Sequence, residues 1–245
     1  MPGNSQIHTT SPRVHAESLL SWWALAGVDA AVSEESVNWL KPKAKLAPAS
    51  DRPAPAAPVI GYPDTLSAFH DYLTQSSELP EKAWPGRHIM PKGPQNPQLM
   101  LIVHAPETET SGSDTHFSAA TGQLLSRMVQ AMGLTLTDCY IASLSLTAPP
   151  GGAIDSAAMD RLVDRMHHHI ALVQPRALLL LGDQTSRALL PTERSDSPEN
   201  LPFVNHKNGT VSAISIIHPR LMLEQPTAKA GAWHSMQRLM KGWGQ

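Results

Sequence analysis

Cysteine is almost missing: Cys139 is the only one in 245 residues. A lone thiol cannot close an intramolecular disulfide, nor by itself hold a zinc ion or an iron–sulfur cluster in the usual four-ligand arrangement. Its rarity points to a reducing compartment, so the expected location is the cytoplasm and no metal or other cofactor is assigned. Long apolar runs are missing too. The best candidate, Leu19 to Val32, is broken by Ser21 and Asp29 and falls short of the roughly 18 residues a spanning helix needs, so no membrane association is expected. That stretch also lacks a clear A-x-A cleavage site and reads as a short amphipathic helix. Charge is scarce and nearly balanced, 19 Lys and Arg against 21 Asp and Glu for a formal −2. Any nucleic-acid binding has to come from a local basic face. The chain contains no Walker loop, G-x-G-x-x-G, nucleophile elbow, H-E-x-x-H or repeat of fixed period.

What is present divides into three parts. Pro42, Pro48, Pro53, Pro55, Pro58 and Pro63 punctuate the stretch from 41 to 63 so closely that neither helix nor strand can run, which makes it a semi-extended linker. The piece before it, 1–40, carries Trp22, Trp23 and Trp39 and is too small to bury them against itself. It either docks on the main domain or offers an aromatic segment to a protein partner. Residues 64–245 form the expected main domain.

Within that domain Asp64 or Thr65 can cap a helix with Leu66, Phe69, Tyr72 and Leu73 at helical spacing, ended before Pro80. An alternating series follows. Strands are expected at Leu99 to Val103, Cys139 to Leu144, Ala177 to Leu181 and Val211 to Ile217. Helices are expected at Gly122 to Met132, Ser156 to Val173, Asp183 to Leu190 and Thr227 to Lys241. This order implies a three-layer α/β/α domain around a central, mainly parallel four-stranded sheet. Ligands in such folds bind at the carboxyl ends of the strands, so the loops from His104, Ser143, Gly182 and His218 carry the candidate chemistry.

Two of those loops carry a family pattern. The first runs from Val103 to Leu125, with Ala105, Pro106, Phe117, Ala119, Gly122, Leu124 and Leu125 at the spacings of G-E-A-P-G, P-F-V-G and A-G-x-L-L. The second has His218, Pro219, Leu221, Leu223, Pro226, Lys229 and Trp233 in the pattern of a closing H-P-x-x-L-L motif. Together they resemble the uracil-DNA glycosylase superfamily, in particular its bacterial and archaeal branch whose better-known members carry an iron–sulfur cluster. The resemblance covers roughly the last 150 residues, about one such domain.

The resemblance implies base excision. Such an enzyme rotates a nucleotide out of the stack and holds the base against an aromatic face, the position of Phe117. Ala105 and Pro106 would lie by the base or sugar, and Ser143 stands where an asparagine reads uracil in many members. A donor near the base oxygen stabilises the leaving anion, the position of His218. A polar side chain must place a water; His104 stands where the family has a glutamate, and Glu107 where it has a glycine. The cluster cysteines are missing, so no iron–sulfur cluster is expected.

Plainer readings compete at several positions. Phe117 can be a core anchor, and His104 and Glu107 can be solvated loop residues. Consecutive His167, His168 and His169 point about 100° apart on a helix and do not converge on a metal. Asn205 and His206 either line the crevice or make a turn with Gly209, and the turn is the expected reading. From Pro202 onward five basic residues face one acidic, a net of 5 − 1 = +4, and Arg220 and Lys229 suit DNA phosphate contacts. The expected partner is uracil-containing DNA, single- or double-stranded, and the expected state a monomer. Two alternatives stand beside excision: a catalytically inactive glycosylase fold that binds nucleic acid or protein, and another nucleotide or small-molecule hydrolase on this scaffold.

Overall fold

The computed structural model describes residues 61–107, 115–190 and 201–244, all inside one compact unit from Val59 to Gln245. The segment 1–40 and the linker up to residue 60 lie outside the described residues. Helix α1 (Leu66–Gln75) begins at Thr65, whose hydroxyl accepts from the Ala68 N–H, and buries Phe69 and Leu73. Strand β1 (Met100–Val103), α2 (Ala119–Ala131), β2 (Tyr140–Ser143), α3 (Ser156–Val173), β3 (Ala177–Leu181) and α4 (Asp183–Leu189) then alternate. Strands β4 (Phe203–His206) and β5 (Gly209–Ile216) form a hairpin, and α5 (Pro219–Glu224) and α6 (Ala228–Lys241) close the chain.

The sheet therefore has five strands, not four, in the order β2-β1-β3-β5-β4. Only β4 is antiparallel. Asn205 and His206 belong to β4, and the turn lies one step on, at Lys207 and Asn208. In a four-residue edge strand only Val204 is buried while Phe203 and Asn205 face solvent, so no apolar run announces it.

Alternation along the strands feeds two cores. Leu101, Val103, Ile141, Leu179, Leu181 and Ile216 pack with α2, α5 and α6, whereas Met100, Ile102, Tyr140, Leu178 and Leu180 pack with α3 and α4. Helices on both faces explain why β1, β2 and β3 are buried at every position. Beyond β2, Lys92 exchanges backbone hydrogen bonds with Ile141 at 3.0 and 2.8 Å. Gly93 comes so close to the start of β2 that an added Cβ would lie 2.5 Å from Cys139 O and Tyr140 Cα. Cys139 itself is buried, its thiol pushed up to about 12 by burial, which leaves it unreactive. Among the described residues no helix is long and apolar enough to cross a membrane.

Candidate active site

The chain leaves β1 for β2 on one side and returns to β3 on the other, so the crevice between the carboxyl ends of β1 and β3 is the topological switch point where such sheets take ligands. The end of β5 is tied to the same place, because the Gly182 N–H donates to Ile216 O at 2.8 Å. Gly182 has φ +94°, and a Cβ there would lie 3.6 Å from His218 Cβ. Backbone and histidine thus approach closely at a conformation glycine adopts freely.

His218 follows β5 and caps α5: its Nδ1 accepts from the Arg220 N–H at 3.3 Å. A neutral ring that accepts at Nδ1 carries its proton on Nε2. Burial favours that neutral form, holding the pKa below the ordinary histidine value; the Glu107 carboxylate opposes the shift and Arg220 adds to it. Glu107 Oε1 lies 3.9 Å from Nδ1, and the Phe117 ring centroid is 6.2 Å from that of His218 at 45°. The histidine side chain remains 18% exposed, so its ring is accessible at the crevice.

Glu107 holds the neck of the first loop. Its N–H donates to His116 O at 3.0 Å, and its Oε2 accepts from the Ser118 N–H at 2.8 Å. Ser118 is the cap of α2, so the carboxylate sits where a helix favours negative charge. Phe117 is 7% exposed and belongs to the apolar cluster with α2, serving as loop anchor and as neighbour of His218 together. Pro106 is buried beside half-buried Ala105. Ser143 pairs in register with Val103. Alternation puts it on the same face as Ile141, hence on the side of Phe117. Its hydroxyl is buried with no hydrogen-bond partner.

His104 goes the other way. One residue beyond Val103, it lines a cavity of about 410 Å³ with Ile154, Met159, Gln184, Arg187 and Ala188, on the α3 and α4 side of the switch point. Its carbonyl accepts from the Ser145 N–H at 3.1 Å, and burial lowers its pKa. The structure thus gathers His218, Glu107 and Phe117, while the cavity that His104 lines does not include His218. Arg220, on α5, and Lys229, on α6, are exposed, with Arg220 Nε 4.0 Å from Glu224 Oε1.

Sequence reasoning passed over two features. Ile217, Leu221 and Leu223 leave large apolar surface exposed around His218; the H-P-x-x-L-L spacing specifies only Leu223 among them and records no exposure. His116 is almost wholly buried beside Phe117, and nothing in a polar loop residue signals burial. The donor set does not fit an iron–sulfur cluster, since such clusters take several thiolates and the one cysteine lies in the apolar cluster under α2. Among the described residues no three His, Cys, Asp or Glu side chains converge as metal ligands.

No curated protein matches the chain significantly. The family model of the uracil DNA glycosylase superfamily matches residues 90–237, more than half of the chain. That span runs from ahead of β1 into α6, taking in the sheet, the Glu107 loop and His218 alike, and on this ground the chain belongs to the uracil DNA glycosylase superfamily.

Proposed function

We propose that this protein removes uracil, or another deaminated base, from DNA by hydrolysing the N-glycosidic bond. The base leaves with the bonding electron pair, water adds to the sugar carbon, and the water's proton passes to a side chain. The observation that carries this reading is His218, a neutral imidazole whose Nδ1 is occupied by the Arg220 N–H, leaving an Nε2–H to stabilise the departing base oxygen. The Phe117 ring, 6.2 Å from that of His218, suits stacking on the base, and Ser143 supplies a hydroxyl. His104 or Glu107 handles the water. Arg220 and Lys229 suit phosphates, and the apolar rim of Ile217, Leu221 and Leu223 suits unstacked base faces. The proposed setting is base-excision repair in the cytoplasm, by a monomer.

The test is cleavage of a labelled oligonucleotide holding one uracil, single- and double-stranded, developed with alkali. Wild type is expected to cleave, and His218→Ala to lose roughly two orders of magnitude or more. A second reading, binding without hydrolysis, is favoured by Glu107 being engaged with Ser118 and by the cavity of His104 excluding His218. Retained affinity for the oligonucleotide with no released base from wild type decides for it.

A further inference from the structure

Excision of a single base at His218 leaves the cavity beside His104 unused. Its volume of about 410 Å³ falls within the range of pockets that take small molecules, roughly 300–1,000 Å³. Most of its lining is apolar: Ala153 and Ile154 come from the segment between β2 and α3, Met159 from the start of α3, and Ala188 from α4. Polar groups are few. Arg187 is exposed on α4, and its Nε lies 2.8 Å from Asp183 Oδ2, so a carboxylate already answers the cation. Half-buried His104 has its Nδ1 buried with no hydrogen-bond partner, which leaves Nε2 as the nitrogen a ligand can reach. Burial lowers its pKa, so the ring is neutral at pH 7. Such a lining offers little to an isolated phosphate or carboxylate. It suits a flat, uncharged ring, with the Met159 thioether and aliphatic side chains against its faces and one imidazole for a polar edge.

Position identifies the ring. Val103 and Leu181 pair in register, so His104 and Gly182 leave adjacent strands at one level, about 4.8 Å apart. Gly182 faces His218, at 3.6 Å from an added Cβ to His218 Cβ, while Gln184, in the first turn of the helix that follows, lines the cavity. The crevice of His218 and the cavity are thus neighbours across the end of β3. Successive nucleotides of one strand are about 3.4 Å apart when stacked and lie farther apart once unstacked, so two of them can occupy crevice and cavity together.

We propose that this cavity is a second base pocket, which takes the unstacked base next to the one being excised, and that the preferred substrate is consequently single-stranded DNA. The inference rests on the base-excision reading and extends it to a neighbouring nucleotide. Contact is through ring faces, which every base has, so the pocket adds affinity without sequence preference. A duplex resists it, because a second nucleotide has to be unpaired and unstacked. His104 then serves the neighbouring base rather than the water, which accounts for a cavity that does not include His218.

The experiment measures kcat and KM of the full chain on uracil oligonucleotides: single-stranded, double-stranded, and single-stranded with an abasic tetrahydrofuran spacer in place of the nucleotide on one or the other side of uracil. Removing the flanking base on one side is expected to raise KM about tenfold, the worth of one stacked base, with kcat within about twofold. The duplex is expected to show kcat/KM about tenfold lower or less still. Ala153→Trp, at an exposed position of extended backbone with φ −116°, places an indole at the cavity. It should raise KM on the ordinary single strand by a similar factor and lose nothing further on the spacer substrate. Wild type indifferent to both spacers overturns the pocket while leaving excision standing, and this arm needs no variant to fold. Losses from the spacer and from Ala153→Trp that multiply also overturn it, since the flanking base then binds elsewhere. Equal kcat/KM on duplex and single strand overturns the strand preference. Wild type that releases uracil from none of the substrates overturns the excision reading and the pocket together.

Discussion

Tyr140 and Ser143 stand at opposite ends of one four-residue strand, both buried, one facing α3 and the other facing α2. The Tyr140 hydroxyl lies 2.7 Å from His70 Nε2 and 2.8 Å from His169 Nε2. One phenolic proton serves this arrangement if the hydroxyl donates to one imidazole and accepts from the other. Nearby, Arg165 Nη2 donates to Glu81 Oε1 at 2.5 Å and to Leu144 O at 2.8 Å, while the Leu146 N–H donates to the same carboxylate oxygen at 3.1 Å. On this face buried polarity joins α1, α3, β2 and the segment at Glu81. On the other face Ser143 and His116 join nothing. The difference is one of satisfaction: on the first face every buried polar side chain has at least one partner, and on the second the side chains of Ser143 and His116 have none.

Acid makes the harshest trial of this contrast. His169 is held well below the ordinary histidine pKa by burial first, then by His70, Arg165 and His168, and His116 is held at about 4. In the unfolded chain both titrate near 6.5, so the unfolded state binds more protons below that pH and stability falls as pH drops. The slope is about 1.4 kcal/mol per pH unit for each such histidine. Urea midpoints between pH 7 and 4.5 measure it, and a flat profile would contradict the buried neutral rings. Tyr140→Phe comes next, with an expected loss of about 1–3 kcal/mol because two imidazoles lose their shared partner; chemical denaturation reads it. Ser143→Ala removes a hydroxyl from the same strand and is expected to change stability by less than about 0.5 kcal/mol while lowering uracil excision. Equal losses from the two hydroxyl deletions would erase the distinction between the faces.

Much of the fold was legible because long periodic segments leave little choice. Ser156–Val173 and Ala177–Leu181 form the helix and strand read from their spacing, bounded by an Asp155 cap and a left-handed Gln174. β4 was hidden because an edge strand with a single buried position has no period to detect. At the site, the spacing of Phe117 and His218 was readable and the two rings do meet. The direction of His104 was also implicit, since the residue after Val103 must turn to the opposite face. The burial of His116 was not readable: missing partners are a property of packing that no local pattern records.

The Lys92–Ile141 bridge and the close fit of Gly93 against β2 bear on how copies of this protein can meet. They occupy one margin of the sheet, leaving β4, four residues long, at the other. Strand-to-strand growth into a fibre needs two open margins per molecule. Among the described residues, one lysine backbone and one close-fitting glycine thus stand where a strand of a second copy would have to pair with β2.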